Sequence, residues 1–264
     1  SLLGRVLKWR VGLGWYLLVL VAFPALLVGI IAATMALVGQ PFRAAFSGPW
    51  WLLPAFMPLV LFLGPLQEEL GWRAFALPPL MERHGWISAG VVVGLAWAVW
   101  HRTPTTWSAI SWSEPLGSAG LLGLMLGAFV PDVALSVLMA WVYRQTQGSA
   151  LLAGLGMHTA ANYALFLPAV PTGPSATTTT WALTWSFAGC LSILALLAAS
   201  TGREADARPP RRTARRGYPA YDAPRPKDSP APWSQFLTVT WTVACVFTSL
   251  VCAFRRESGG HIIR

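Results

Sequence analysis

Residues 59–77 read LVLFLGPLQEELGWRAFAL. An apolar run is interrupted by Gln67, Glu68 and Glu69, resumes, and meets Arg73 one helical turn after Glu69. In a bilayer the apolar side chains are at home and the charges are the anomaly. An ionisable group in hydrocarbon costs several kcal/mol unless it is paired or lines a cavity. The rest of the chain decides whether hydrocarbon is the solvent.

Apolar residues make up 55% of the 264 and charged residues 11%, against about a quarter charged in an ordinary soluble domain. So few charges cannot solvate the surface of a globule, and so much apolar surface excludes a disordered chain. The net charge of +9 sits at the ends. Between Val11 and Ser200, Arg43, Arg73, Arg83, Arg102 and Arg144 are cancelled by Glu68, Glu69, Glu82, Glu114 and Asp132. The excess comes from Arg5, Lys8 and Arg10 and from the residues after Ser200. A neutral apolar body between basic ends is the pattern of an integral membrane protein, here of the plasma membrane, with both termini cytoplasmic. Membrane lipid is the expected partner of the basic ends, and nucleic acid is not expected. Cys190, Cys245 and Cys252 lie in apolar runs, with neither metal-ligand spacing nor a disulfide framework. The chain begins at Ser1, and the run after Arg10 is too long for a signal-peptide core, so it reads as a span.

A spanning helix needs roughly 20 apolar residues. Six stretches qualify: Val11 to Val38 with a kink at Pro24; Pro49 to Leu77, broken near Pro54 and Pro58 and ended by Pro78-Pro79; Trp86 to His101 or Pro104; Gly120 to Tyr143, with Pro131-Asp132 inside; Ala150 to Leu167; and Trp181 to Ala199. Polar loops are expected at 103–118 and 168–180. The fold class is therefore all-α, a polytopic transmembrane bundle of about six spanning helices. Residues 1–200 form the membrane domain. Residues 201–232, rich in Arg and Pro, form a disordered cytoplasmic tail. Residues 233–264 hold an uncertain apolar segment and a basic C-terminus; a crossing by 233–254 would strand Arg255 and Arg256 outside. Six spans keep Arg83 and Arg144 on the side of the N-terminus and Arg43 and Arg102 opposite. Gly90-xxx-Gly94 and Gly123-xxx-Gly127 read as close helix contacts.

Glu68, Glu69, Arg73, His101, Asp132, His158 and Asn162 are the polar groups this body buries. Glu69 and Arg73 are at i, i+4 with the acid first, the favourable order for a helical ion pair. Glu68 lies about 100° further round the helix, without a partner on its own helix, and is the candidate general base. Trp97 sits one turn before His101 on one face, and His158 one turn before Asn162. His158 and Asn162 both donate hydrogen bonds and could hold an oxyanion. Asp132 reads as a helix–helix hydrogen bond. Counting about 1.5 Å per residue, Glu68 and His158 lie some 13 Å from the ends of their spans at Leu77 and Ser149. By the same count His101 lies roughly 22 Å from Trp86, too deep to meet them.

Glu-Glu-x-x-x-Arg (Glu68 to Arg73), aromatic-x-x-x-His (Trp97 to His101) and His-x-x-x-Asn (His158 to Asn162) follow one another on successive helices. In this order they resemble the CAAX protease and bacteriocin-processing enzyme family (CPBP, or Abi), whose eukaryotic relatives are prenyl-protein CAAX endopeptidases. The resemblance covers about Pro54 to Leu167 and includes Tyr143-Arg-Gln-Thr-Gln-Gly-Ser149. The aromatic position is usually Phe in the family; Trp97 is expected to change pocket shape more than chemistry. The resemblance implies an intramembrane endopeptidase acting on a membrane-associated protein or peptide. Glu68 would activate water with His101, His158 and Asn162 would stabilise the oxyanion, and Glu69 and Arg73 would be the supporting pair. It implies no cofactor, although Glu68, His101 and His158 could form a His₂Glu zinc site. Two other classes fit the buried charges. One is a transporter or proton relay, disfavoured because no internal repeat is visible. The other is a non-catalytic scaffold or immunity factor, disfavoured because every motif position is filled.

Overall fold

The computed structural model describes residues 2–45, 48–112, 118–169 and 175–206. In chain order these form α1 (Leu2–Val6), α2 (Leu13–Leu37), α3 (Leu53–Phe62), α4 (65–84), α5 (86–112), α6 (Ser118–Gln145), α7 (151–166) and α8 (Ser175–Asp206). No strand occurs among the described residues, only an isolated bridge between Ala44 and Pro168. The class is all-α. Two segments, Leu13–Leu37 and Thr178–Ser200, are long and apolar enough to cross a membrane by length and composition alone. The expected tail at 201–232 and the segment 233–264 lie outside the described residues, except that α8 continues to Asp206.

The connections sort to two ends. At one, the Lys8 ammonium donates to the Gln147 carbonyl at 2.6 Å, and the Ser149 hydroxyl to the Lys8 carbonyl at 2.7 Å. Arg144 lies over the Trp86 ring, 5.8 Å from its centroid. The N-terminus, the α4–α5 turn and the α6–α7 turn therefore share this end. At the other, the Ala169 amide donates to the Arg43 carbonyl at 2.8 Å. Arg83 and Arg144 thus fall at the end that holds the N-terminus, and Arg43 falls at the other.

Prolines behave differently from expectation. Pro54 and Pro58 do not break α3: Pro54 stands in its first turn, where the missing N–H has no intrahelical partner, and Pro58 lies inside the helix without ending it. The break falls at Leu63-Gly64, ahead of Pro65. Pro78-Pro79 do not end α4 either. Pro78 cannot donate to the carbonyl of Ala74, four residues back; the Arg5 guanidinium donates to that carbonyl instead, at 3.0 Å. The helix turns back only at Gly85, whose φ of 77° and ψ of 164° suit glycine alone. Glu68 lies seventeen residues before this turn and His101 sixteen after it, so the two come level. The depth mismatch came from placing the helix end at Leu77.

Two expected loops are shorter. Residues 103–112 continue α5 beyond Pro104, because one proline forfeits one backbone bond without ending the helix on both sides. Residues 175–180 belong to α8, where Thr179 is buried. Helix α5 packs on α6, α6 on α8, and α2 on α7 and α8. Small residues set the closest crossings. A Cβ on Gly90 would lie 2.9 Å from the Cα of Val137, and one on Gly94 2.8 Å from that of Val133. A Cβ on Gly127 would lie 2.8 Å from the side-chain Cγ2 of Thr184 in α8. Close approach of this kind is what small-xxx-small spacing permits.

Candidate active site

Helices α4, α5, α6 and α7 each bring side chains to one place. Helix α4 supplies Glu68, Glu69 and Arg73, and its segment Leu70–Ala76 is π-helical. Helix α7 opens with the π-helical segment Leu151–Gly156 and then presents His158. Insertions of this type widen a helix locally and often mark functional sites. The two meet at Gly154, where a Cβ would lie 2.8 Å from Oε2 of Glu69 and 3.1 Å from the Cβ of Arg73. Gly154→Ala is expected to overpack this crossing and lower stability by about 1–3 kcal/mol. A melting curve in detergent measures it; an unchanged midpoint would contradict the close α4–α7 approach.

The expected Glu69–Arg73 pair forms at 2.6 Å with both side chains fully buried. Glu69 has a second partner that spacing did not reveal. Its Oε1 also lies 2.9 Å from Nδ1 of His158. The supporting pair is therefore a triad joining α4 to α7. With Nδ1 directed at Glu69, Nε2 of His158 is left for the site.

Glu68 is partly exposed and is not the unpartnered acid that its helix position suggests. Its Oε2 accepts a hydrogen bond from the indole N–H of Trp97 at 2.8 Å and lies 3.3 Å from Nε2 of His101. The departure at position 97 therefore changes chemistry as well as shape, since phenylalanine has no N–H. The Trp97 ring is buried among the charged groups. Its centroid is 4.8 Å from that of His101 and 5.0 Å from that of His158, and Cζ of Arg73 lies 4.3 Å from it. On the far side of His101, Nδ1 lies 3.7 Å from Oδ2 of Asp132, within ion-pair range. Asp132 is thus placed beside a site histidine rather than serving only as a helix–helix contact. Its one sequence signal is a carboxylate after a proline in the middle of an apolar helix. Asn162 stands one turn after His158 in α7, half-buried.

Ligating atoms of Glu68, His101 and His158 lie within 4.8 Å of one another. Each histidine directs Nδ1 at a carboxylate, Asp132 or Glu69, and keeps Nε2 for the interior of the site. Metal-binding histidines commonly show this carboxylate–imidazole arrangement. The donor set therefore fits a zinc ion as well as it fits a water held by a base and two imidazoles.

Residues 49–164 match the family described as "Type II CAAX prenyl endopeptidase Rce1-like". Every residue of the cluster lies inside that match. The chain is also similar to CAAX prenyl protease 2 of Methanococcus maripaludis, at 25% identity over 137 residues, which is 51% of this chain and 50% of the relative. The chain thus spans about half the length of the curated relative it matches. Both findings agree with the resemblance carried by the three motifs.

Proposed function

We propose that this chain, whose residues 49–164 match the type II CAAX prenyl endopeptidase family, is an intramembrane endopeptidase that cleaves a peptide bond with a glutamate-activated water. One observation carries the reading: Glu68 faces His101 at 3.3 Å, with His158 brought into the same small cluster from another helix. Six spans with both ends on the cytoplasmic side of the plasma membrane complete the proposal; the grouping of the loops at two ends supports it. The substrate is the tail of a membrane-associated protein.

In this reading a water is held beside the Glu68 carboxylate, within reach of Glu68 and His101. Glu68 takes its proton as oxygen attacks the scissile carbonyl, and the carbonyl π-electrons move to the oxygen. The amide of Asn162 donates to the resulting oxyanion. Nε2 of His158 donates there when both ring nitrogens carry protons, since Nδ1–H is directed at Glu69. The tetrahedral species then collapses. The C–N bond breaks, and the proton held by Glu68 goes to the leaving amine. Asp132 holds the His101 ring in orientation.

If zinc is bound, Glu68, His101 and His158 are the residues that would hold it, and it would supply Lewis acidity toward water and carbonyl. The steps above need only the chain's own groups, so the mechanism we propose is metal-free. Purified protein is expected to carry zinc well below one equivalent and to keep its activity after strong chelation. Stoichiometric zinc whose removal abolishes activity, and whose return restores it, would overturn the metal-free mechanism. The assay is cleavage of an internally quenched prenylated CAAX peptide in detergent. A transporter or proton relay built on the same charges would leave that peptide intact, and a scaffold would do so as well.

A further inference from the structure

We propose that Trp97 is the positioning residue of the hydrolytic base: its indole N–H holds the Glu68 carboxylate in place and ties it to the neighbouring Glu69–Arg73 pair. The inference rests on the reading of Glu68 as base. Glutamate has three rotatable side-chain bonds, and the contacts found for the Glu68 carboxylate, Trp97 and His101, both stand on α5. Its direction must be set from another helix. The Trp97 N–H does this at 2.8 Å. An N–H donated to a carboxylate is among the stronger hydrogen bonds, and indole can only donate, so it orients the base without competing for the water's proton. A carboxylate oxygen has more than one acceptor site. Trp97 therefore occupies part of Oε2 and leaves the remainder for His101 or the water.

The donor is itself fixed. Trp97 is 2% exposed, with His101 and His158 against its ring. The Arg73 guanidinium lies over the same ring, 4.3 Å from its centroid, in cation–π contact. Arg73 is bonded to Glu69, and Glu69 to His158. A continuous path thus runs from Glu69 through Arg73 and the indole to Glu68. The two adjacent glutamates are linked across α5, although they point to different sides of α4. A base held in this way needs no reorganisation when the proton moves, which is the form of catalysis that fixed donors provide.

The test replaces Trp97 by 3-benzothienylalanine, which keeps the bicyclic shape and loses only the N–H, with Trp97→Phe and Glu68→Gln alongside. Cleavage of the quenched prenylated CAAX peptide is followed at several concentrations, with a detergent melting curve for each protein. The expected result for the isostere is a fall in kcat on the order of 10- to 100-fold, the loss of one charge-assisted hydrogen bond, with KM and melting midpoint unchanged. Wild-type kcat in the isostere while Glu68→Gln is inactive would overturn the positioning role and leave the base in place. A rise in KM matching the loss of kcat/KM would also overturn it, by assigning Trp97 to substrate binding. Full activity of Glu68→Gln, or failure of the wild type to cleave the peptide, would instead remove the parent reading. Trp97→Phe should match the isostere; if it melts early, the isostere decides.

Discussion

Glu68→Gln is expected to fold and melt like the wild type and to lose peptide cleavage by about 10²–10⁴-fold, the usual contribution of a positioned general base. Glutamine keeps the length and branching of glutamate, and its carbonyl oxygen can still accept the Trp97 N–H that reaches Glu68 at 2.8 Å. What it cannot do is take a proton from water. The neighbours of Glu68 make stability a fair control. Glu68 is partly exposed to the interior of the site, so the amide does not leave a fully buried charge stranded. Parallel melting curves and peptide cleavage measure both quantities. A variant that melts many degrees early would make Glu68 a structural residue, and one that cleaves normally would remove it from the mechanism. A scaffold or immunity factor would be indifferent to the change in any assay.

The parts of this site that were legible in the sequence are those within one helix. Glu69 and Arg73 are one turn apart in order of charge, and a helix makes them neighbours wherever it lies; the observed 2.6 Å contact follows from that. Trp97 and His101 share a face for the same reason, and their rings lie 4.8 Å apart. The contacts between helices were not legible, because they depend on where helices turn and how closely they cross. Pro78-Pro79 suggest an end that Arg5 cancels by donating to Ala74, and the real turn is hidden in His84-Gly85-Trp86. Moving the turn from Leu77 to Gly85 brings His101 level with Glu68. Asp132 is a second case. Gly94 sits against Val133, the residue next to Asp132, and this crossing lets the carboxylate reach His101. The small-residue spacing was readable, but its register against α6 was not. The all-α class itself needed only composition and apolar run length.

Glu69→Ala is expected to be the destabilised counterpart of Glu68→Gln, although the two glutamates are adjacent. Glu69 is 1% exposed, and a single oxygen of its carboxylate serves both Arg73 and His158. Removing it leaves a buried guanidinium without its counter-charge, a loss of about 3–5 kcal/mol for a broken buried pair. The pair is also incompletely satisfied: Oε2 of Glu69 and Nε and Nη2 of Arg73 are buried without hydrogen-bond partners among the described residues. An arrangement with such unmet needs is one that apolar groups can replace at little cost. Adding Arg73→Met to Glu69→Ala should therefore recover much of the melting midpoint. It should not recover cleavage. His158 would still lack the acceptor that orients its ring, and Trp97 would lose the cation that lies 4.3 Å from its ring centroid. Stability and activity are thus predicted to separate in the double variant. Melting near wild type with wild-type cleavage would show that the triad is not needed to arm the site. If Glu69→Ala alone melts like wild type and is inactive while Glu68→Gln is the unstable protein, the roles of base and structural partner are exchanged.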